Sequence, residues 1–387
     1  VKHARQLTLG AIALGALAMS SCLGGCPHVK LRSSGKILIV GGAVTAHSGA
    51  RGFDATSGTQ VYDQRTRTFA KLAATMNEPR MRHTTSRLDS GKMLVAGGEN
   101  ADGGYLASAE LLDPGDRKFY VTGPMSTPRS DHTATVLIDG RVLVTGGLGA
   151  AQSAPRSAEI YDPIRGEFAP TGTALAVERF GHTAAVLANK EVLIVGGSSE
   201  RCAEIFDPRT YKLRRTRGDP AVARRYHTAT PLGDGRVLIV GGRDVTSGAP
   251  LDSAELFDPA TEMFFATKSP MHVGRERHAA SRYESGVLIT GGRTIGGAVL
   301  RTAEVFDPKS QSFRSLPNLM LRPRADHSAS FVPVGPDRGA IVLIGGDVEN
   351  LTVLGSAELF DPSLEKFIAT ANTPNPGVVF HTADLLR

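Results

Sequence analysis

RSDHTATVLIDGRVLVTGGLGAAQSAPRSAEIYDPIRGEF, residues Arg129 to Phe168, is the stretch whose reading decides the fold. His132 to Ile138 is β-branched and apolar, and Asp139-Gly140 follows as a tight hairpin signal. Val142 to Thr145 is a second apolar run, ended by Gly146-Gly147. A polar loop leads to a third short strand at Ala158 to Tyr161, closed by the turn pair Asp162-Pro163. Phe168 marks a fourth strand. One such sheet is too small to bury both of its faces, so copies of it must stack.

The copies are there. Gly-Gly pairs that end an apolar run stand at 41–42, 97–98, 146–147, 196–197, 241–242, 291–292 and 345–346. The third-strand element Ala-Glu, then two apolar residues and Asp-Pro, recurs with its glutamate at Glu110, Glu159, Glu204, Glu255, Glu304 and Glu358. Its first copy has decayed to Gln60-Val61-Tyr62-Asp63. A fourth-strand aromatic recurs at Phe69, Phe119, Phe168, Phe264, Phe313 and Phe367, with Leu213 in the fourth copy. The opening element pairs an arginine with a histidine three residues on: Arg80/His83, Arg129/His132, Arg179/His182, Arg224/His227, Arg275/His278 and Arg324/His327.

That opening element is missing before the first Gly-Gly pair. A degenerate copy stands instead at the far end of the chain, Val378 and then His381-Thr382-Ala383-Asp384-Leu385-Leu386. A ring closed by its own two ends accounts for both facts, and an open solenoid for neither.

This pattern resembles the kelch repeat over about residues 35 to 387, nearly the whole chain. The chain has no Trp, which kelch repeats often carry; Phe stands in its place, as the large flat apolar group needed between blades. The resemblance implies an all-β, seven-bladed β-propeller of four-stranded antiparallel blades, with blade one completed by residues 378–387. The 44 Gly and 22 Pro suit such a turn-rich architecture, and no helical period is sustained after residue 20.

The N-terminus reads differently. Lys2, His3 and Arg5 precede an apolar run from Leu7 to Met19 that is too short to span a bilayer. Residues 1–21 look like a bacterial lipoprotein signal, with 22–34 as a short linker. Cys22 is the expected lipidation site and Cys26 the alternative. The expectation is an exported, lipid-anchored protein of the cell envelope, at the outer membrane or cell surface, and a monomer. Cys202, in a strand, reads as a small buried hydrophobe.

The net charge of +6 falls by two when Lys2 and Arg5 are removed, and the remaining basic residues are scattered. Nucleic-acid binding wants a clustered stripe with stacking aromatics, so no such partner is expected. The seven repeat histidines belong to different blades and do not converge on one ion, so no metal is expected, nor any other cofactor.

Arg80, Arg129, Arg179, Arg224, Arg275 and Arg324 admit two readings. They form a ring at the channel mouth that holds a carboxylate or phosphate, or each pairs inside its blade with Glu110, Glu159, Glu204, Glu255, Glu304 or Glu358, the arms meeting over the glycines. The Asp of each Asp-Pro is turn chemistry. Specificity should then sit in what differs between copies, the loops after the Gly-Gly pairs. No loop carries a recognisable nucleophile, acid/base pair or ligand triad. The residues favour a non-catalytic module that binds a protein or glycan. The alternative is a carbohydrate-active enzyme on this fold, resembling a sialic-acid mutarotase; a galactose-oxidase-like copper site lacks its tyrosine and cysteine set.

Overall fold

The structure, a computed structural model, describes residues 35–44, 53–150, 153–284, 286–333, 337, 339–348 and 352–386. The segment read as a signal, the expected linker and both candidate lipidation cysteines lie outside them.

Seven four-stranded antiparallel sheets surround one axis. From axis to rim, blade two comprises Thr84–Arg87, Met93–Ala96, Ala109–Asp113 and Lys118–Thr122. Blades three to seven repeat this order, their innermost strands being Thr133–Val136, Thr183–Val186, Thr228–Pro231, Ala279–Tyr283 and Ser328–Phe331. Blade one takes its innermost strand, Thr382–Leu386, from the far end of the chain and its other three from Lys36–Val40, Thr59–Asp63 and Thr68–Lys71. Lys36 pairs with Leu386 and Val40 with Thr382, in antiparallel register. Each innermost strand touches that of the next blade, all the way round. Closure leaves only short inner edges, shielded by one another round the axis.

Each seam between blades is filled by one apolar cluster, seven in all. The second strands of blades two to seven are wholly buried, as in Val192–Val195 and Val237–Val240. In five blades the fourth-strand aromatic packs, tilted, on a third-strand ring at about 5 Å between centroids, as in Tyr161–Phe168 at 4.8 Å and Phe306–Phe313 at 5.0 Å. These rings pack on the preceding blade; Tyr161, for example, sits among Leu94, Ala96 and Val136 of the seam between blades two and three.

The Gly-Gly pairs are dictated by close approach. Gly97 and Gly98 have φ of +64° and +102°. A Cβ on Gly97 would lie 2.6 Å from the carbonyl oxygen of Arg129 and 2.7 Å from Cε1 of His132, both in the next blade. The Gly98 amide donates to that same Arg129 carbonyl at 2.8 Å, and the equivalent bond recurs at all seven pairs, ending with Gly346 to Val378. The outer turns are uniform too. In each blade the turn aspartate, Asp63 to Asp361, accepts the amide two residues on at 2.8 or 2.9 Å.

Candidate functional site: the axial funnel

The repeat arginines and glutamates meet inside the blades. Nη2 of each arginine lies on the glutamate of its own third strand: Arg80 on Glu110 at 3.1 Å, Arg129 on Glu159 at 2.6 Å, Arg179 on Glu204 at 2.5 Å, Arg224 on Glu255 at 3.0 Å, Arg275 on Glu304 at 2.8 Å, and Arg324 on Glu358 at 2.6 Å. Nη1 donates to the carbonyl of the first glycine of the pair, as Arg80 does to Gly97 at 2.8 Å. A Ser or Thr hydroxyl takes a further N–H; in blade four the Cys202 sulfur stands there, 3.7 Å from Arg179. Cys202 is fully buried. Each glutamate also accepts a backbone amide, such as that of Ser126 on Glu159 at 2.7 Å. All six guanidinium groups are shut off from solvent, and burial pulls the pKa of Arg129 down while Glu159 opposes it. Groups so enclosed do not line the channel.

The histidines tie blade to blade. Nε2 of His132 meets the Thr84 hydroxyl of the preceding blade at 2.9 Å, and His227 meets Thr183 at 2.8 Å. His381 meets Ser328 at 2.9 Å and His83 meets Thr382 at 3.3 Å, so the series runs through the closing strand.

The residue before each histidine is where the chain presents chemistry to the axis. These are Arg82, Asp131, Gly181, Tyr226, Arg277, Asp326 and Phe380. All seven have left-handed φ, between +49° and +59°. Six backbone hydrogen bonds link them round the ring, each amide to the carbonyl of the preceding blade: Tyr226 to Gly181 at 2.7 Å is the shortest and Asp131 to Arg82 at 3.3 Å the longest. A non-glycine residue held in this region costs on the order of 1 kcal/mol, and six of the seven bear that cost. With the histidines beneath them, these residues line a cavity of about 320 Å³ at the axis.

The ring side chains form a connected set. The Arg277 guanidinium lies 3.8 Å over the Tyr226 ring and donates to Asp326 at 2.9 Å. The Arg82 guanidinium lies 4.3 Å over the Phe380 ring, with Glu99 at 3.6 Å and Asp131 at 3.9 Å. Gly181 has no side chain because the Tyr226 ring leans across it; a Cβ there would meet that ring at 2.8 Å. Oδ2 of Asp131 is buried and has no hydrogen-bond partner among the described residues. Burial pushes the Asp131 carboxyl up, against the pull of Arg82.

A second tier stands above. After five of the six arginines, blade four excepted, the next residue pairs by backbone with the residue after the Gly-Gly pair, as in Met81 with Glu99, Arg225 with Arg243 and Glu276 with Arg293. Ion pairs cross between blades at this level, Arg243 with Glu276 at 3.2 Å and Arg293 with Asp347. Burial raises the Asp347 carboxyl to about 6, with help from Asp326.

The loops after the Gly-Gly pairs therefore begin at the funnel rim, but the floor belongs to the position before each histidine, which sequence reading passed over. A signal for it was present: between an arginine and a histidine that repeat, this one position changes from charged to aromatic to glycine.

The Kelch motif family matches residues 224–262, which run from the opening arginine of blade five to its outer turn. No curated protein matches the chain in sequence. The solved structure of YjhT superimposes with a TM-score of 0.58 at 14% identity, over 76% of this chain and 97% of that one. At that identity the likeness speaks to the fold alone. With its repeated motif and its ring of seven four-stranded blades, the chain is a kelch-type β-propeller.

Proposed function

We propose that the chain is a binding module whose ligand, a glycan, seats in the axial funnel. One observation carries this reading. Seven equivalent backbone positions, held in one unusual conformation, bring two arginines, two aspartates, a tyrosine and a phenylalanine round a single cavity, with a glycine at the seventh. The Arg277–Asp326 pair offers groups that grip hydroxyls, and Tyr226, which carries Arg277 on its ring, adds an aromatic wall to the same cavity. The N-terminal segment, read as a lipoprotein signal, places this module on the cell envelope in the same proposal. A glycan array probed with the full chain in detergent tests the reading. Hits that weaken at least tenfold in Asp326→Asn and Tyr226→Ala support it; hits indifferent to both variants, or an array with no hits, overturn it.

A second reading is favoured by Asp131, whose carboxyl has one buried oxygen that makes no hydrogen bond among the described residues and a raised pKa, beside a cavity. Such a group suits proton transfer, as in a carbohydrate-active enzyme of the mutarotase type. Anomer exchange of candidate sugars, followed by NMR with and without the protein, distinguishes catalysis from binding.

A further inference from the structure

We propose that Arg225, with Arg243 and the face of Phe180, forms an anion-binding site on the funnel wall at blades four and five, taking a carboxylate or phosphate of the ligand. This deepens the funnel reading and rests on it.

The funnel carries five arginines on its two tiers. Arg82, Arg243, Arg277 and Arg293 each have a named carboxylate within 4 Å. Arg225 has none among the described residues. Its Nε is buried and makes no hydrogen bond, and its guanidinium lies 4.2 Å over the Phe180 ring. The backbone makes the imbalance worse. Arg225 and Arg243 are directly opposite each other in a two-residue antiparallel pair. Like charges facing across strands destabilise a sheet, and the carboxylate of Glu276 bonds Arg243. Arg225 is thus left facing a second cation with no carboxylate of its own among the described residues, and a ligand oxyanion restores the balance.

The wall is also lowest here. The connection after the second strand is shortest in blade four, where the third strand begins at Ala203 only six residues past Gly197. Phe180 is half-buried, and its ring meets the edge of Tyr226 at 6.3 Å, which joins this subsite to the cavity floor. A planar guanidinium fixed on an aromatic face and partly withdrawn from water offers its free N–H edge bidentately to a carboxylate or phosphate. These arginines are distinct from the six enclosed in the blades.

The test is titration calorimetry of the full chain with glucose, glucuronate and glucose 6-phosphate at low ionic strength. The proposal expects glucuronate or the phosphate to bind at least tenfold more tightly than glucose. It expects that advantage to vanish in Arg225→Gln and to return in part in Arg225→Lys. The thermal midpoint of Arg225→Gln should equal or exceed that of the parent, since a repulsion is removed, so a loss of binding there is not unfolding. Which of the two anions binds better separates a sugar acid from a sugar phosphate. Equal affinity for all three probes, or an anion preference that survives Arg225→Gln, overturns the proposal. Array hits confined to neutral glycans and sensitive to Tyr226→Ala overturn the anion site and leave the funnel reading intact.

Discussion

Oε1 of Gln60 accepts the amide of Asn375 at 2.8 Å, the hydrogen bond that a glutamate makes in the other six blades. Blade one has Val378 where the others have arginine, and its third-strand residue is neutral to match. Gln60 spends its amide nitrogen on the Pro376 carbonyl at 3.0 Å. Gln60→Glu should therefore bury a carboxylate with no guanidinium to meet it, at a cost of about 3 kcal/mol. Urea unfolding measures this, and Gln60→Glu with Val378→Arg should regain part of the loss.

In blade three the same logic runs the other way. Arg129→Met leaves Glu159 enclosed and unpaired, which should cost about 3 to 5 kcal/mol. Arg129→Met with Glu159→Leu removes both charges and should recover most of that. A double variant as unstable as the single one would mean that the hydrogen bonds of Arg129 to the Gly146 and Ser157 carbonyls carry the stability instead.

Acid should open the ring. Burial lowers all seven repeat histidines, His132 and His278 to about 3 and His381 to about 4, from an ordinary 6.5. The unfolded chain binds protons that the folded chain refuses, so this stability is present above pH 6.5 and lost as pH falls towards the folded values. Each histidine contributes a slope of about 1.4 kcal/mol per pH unit in that window. Asp384 and Asp347 act in opposition. Burial raises them to about 7 and about 6, so their contribution is present at low pH and fades as pH rises through those values. Asp131, also raised by burial, opposes in the same sense; seven groups outweigh three, and stability followed by denaturant titration should drop steeply between pH 6 and pH 4. A flat profile there would refute the assignment of neutral, enclosed imidazoles.

Asp131→Asn keeps a residue tolerant of the left-handed conformation and removes a buried charge. It should raise stability by about 1 kcal/mol while weakening funnel binding. Calorimetry on the parent and the variant reads both effects. A gain in stability with unchanged binding would take Asp131 out of the site.

The architecture was legible because closing a ring leaves marks in one dimension. Seven Gly-Gly pairs fix the count of blades, and His381-Thr382 beyond the last pair supplies the strand that residues before Gly41 lack. The floor of the funnel was not legible in the same way. Tyr226 and Arg277 are neighbours only because consecutive blades bring their backbones within 3.1 Å. Nor does the chain announce that every residue before a repeat histidine is left-handed, since Tyr226 and Phe380 are poor candidates for that region. The conformation is imposed by the ring of amide-to-carbonyl bonds and not by local preference.

The pairing of Lys36 with Leu386 also sets an order of folding. Blades two to seven are meanders of neighbouring strands and form from local contacts, whereas the last seam joins the most distant segments of the polypeptide. Contacts of such long range form slowly. A nascent chain therefore carries an open horseshoe, with the edge of Lys36–Val40 bare, until its final strand arrives, and it is during that interval that the protein is most exposed to misassociation and to chaperones.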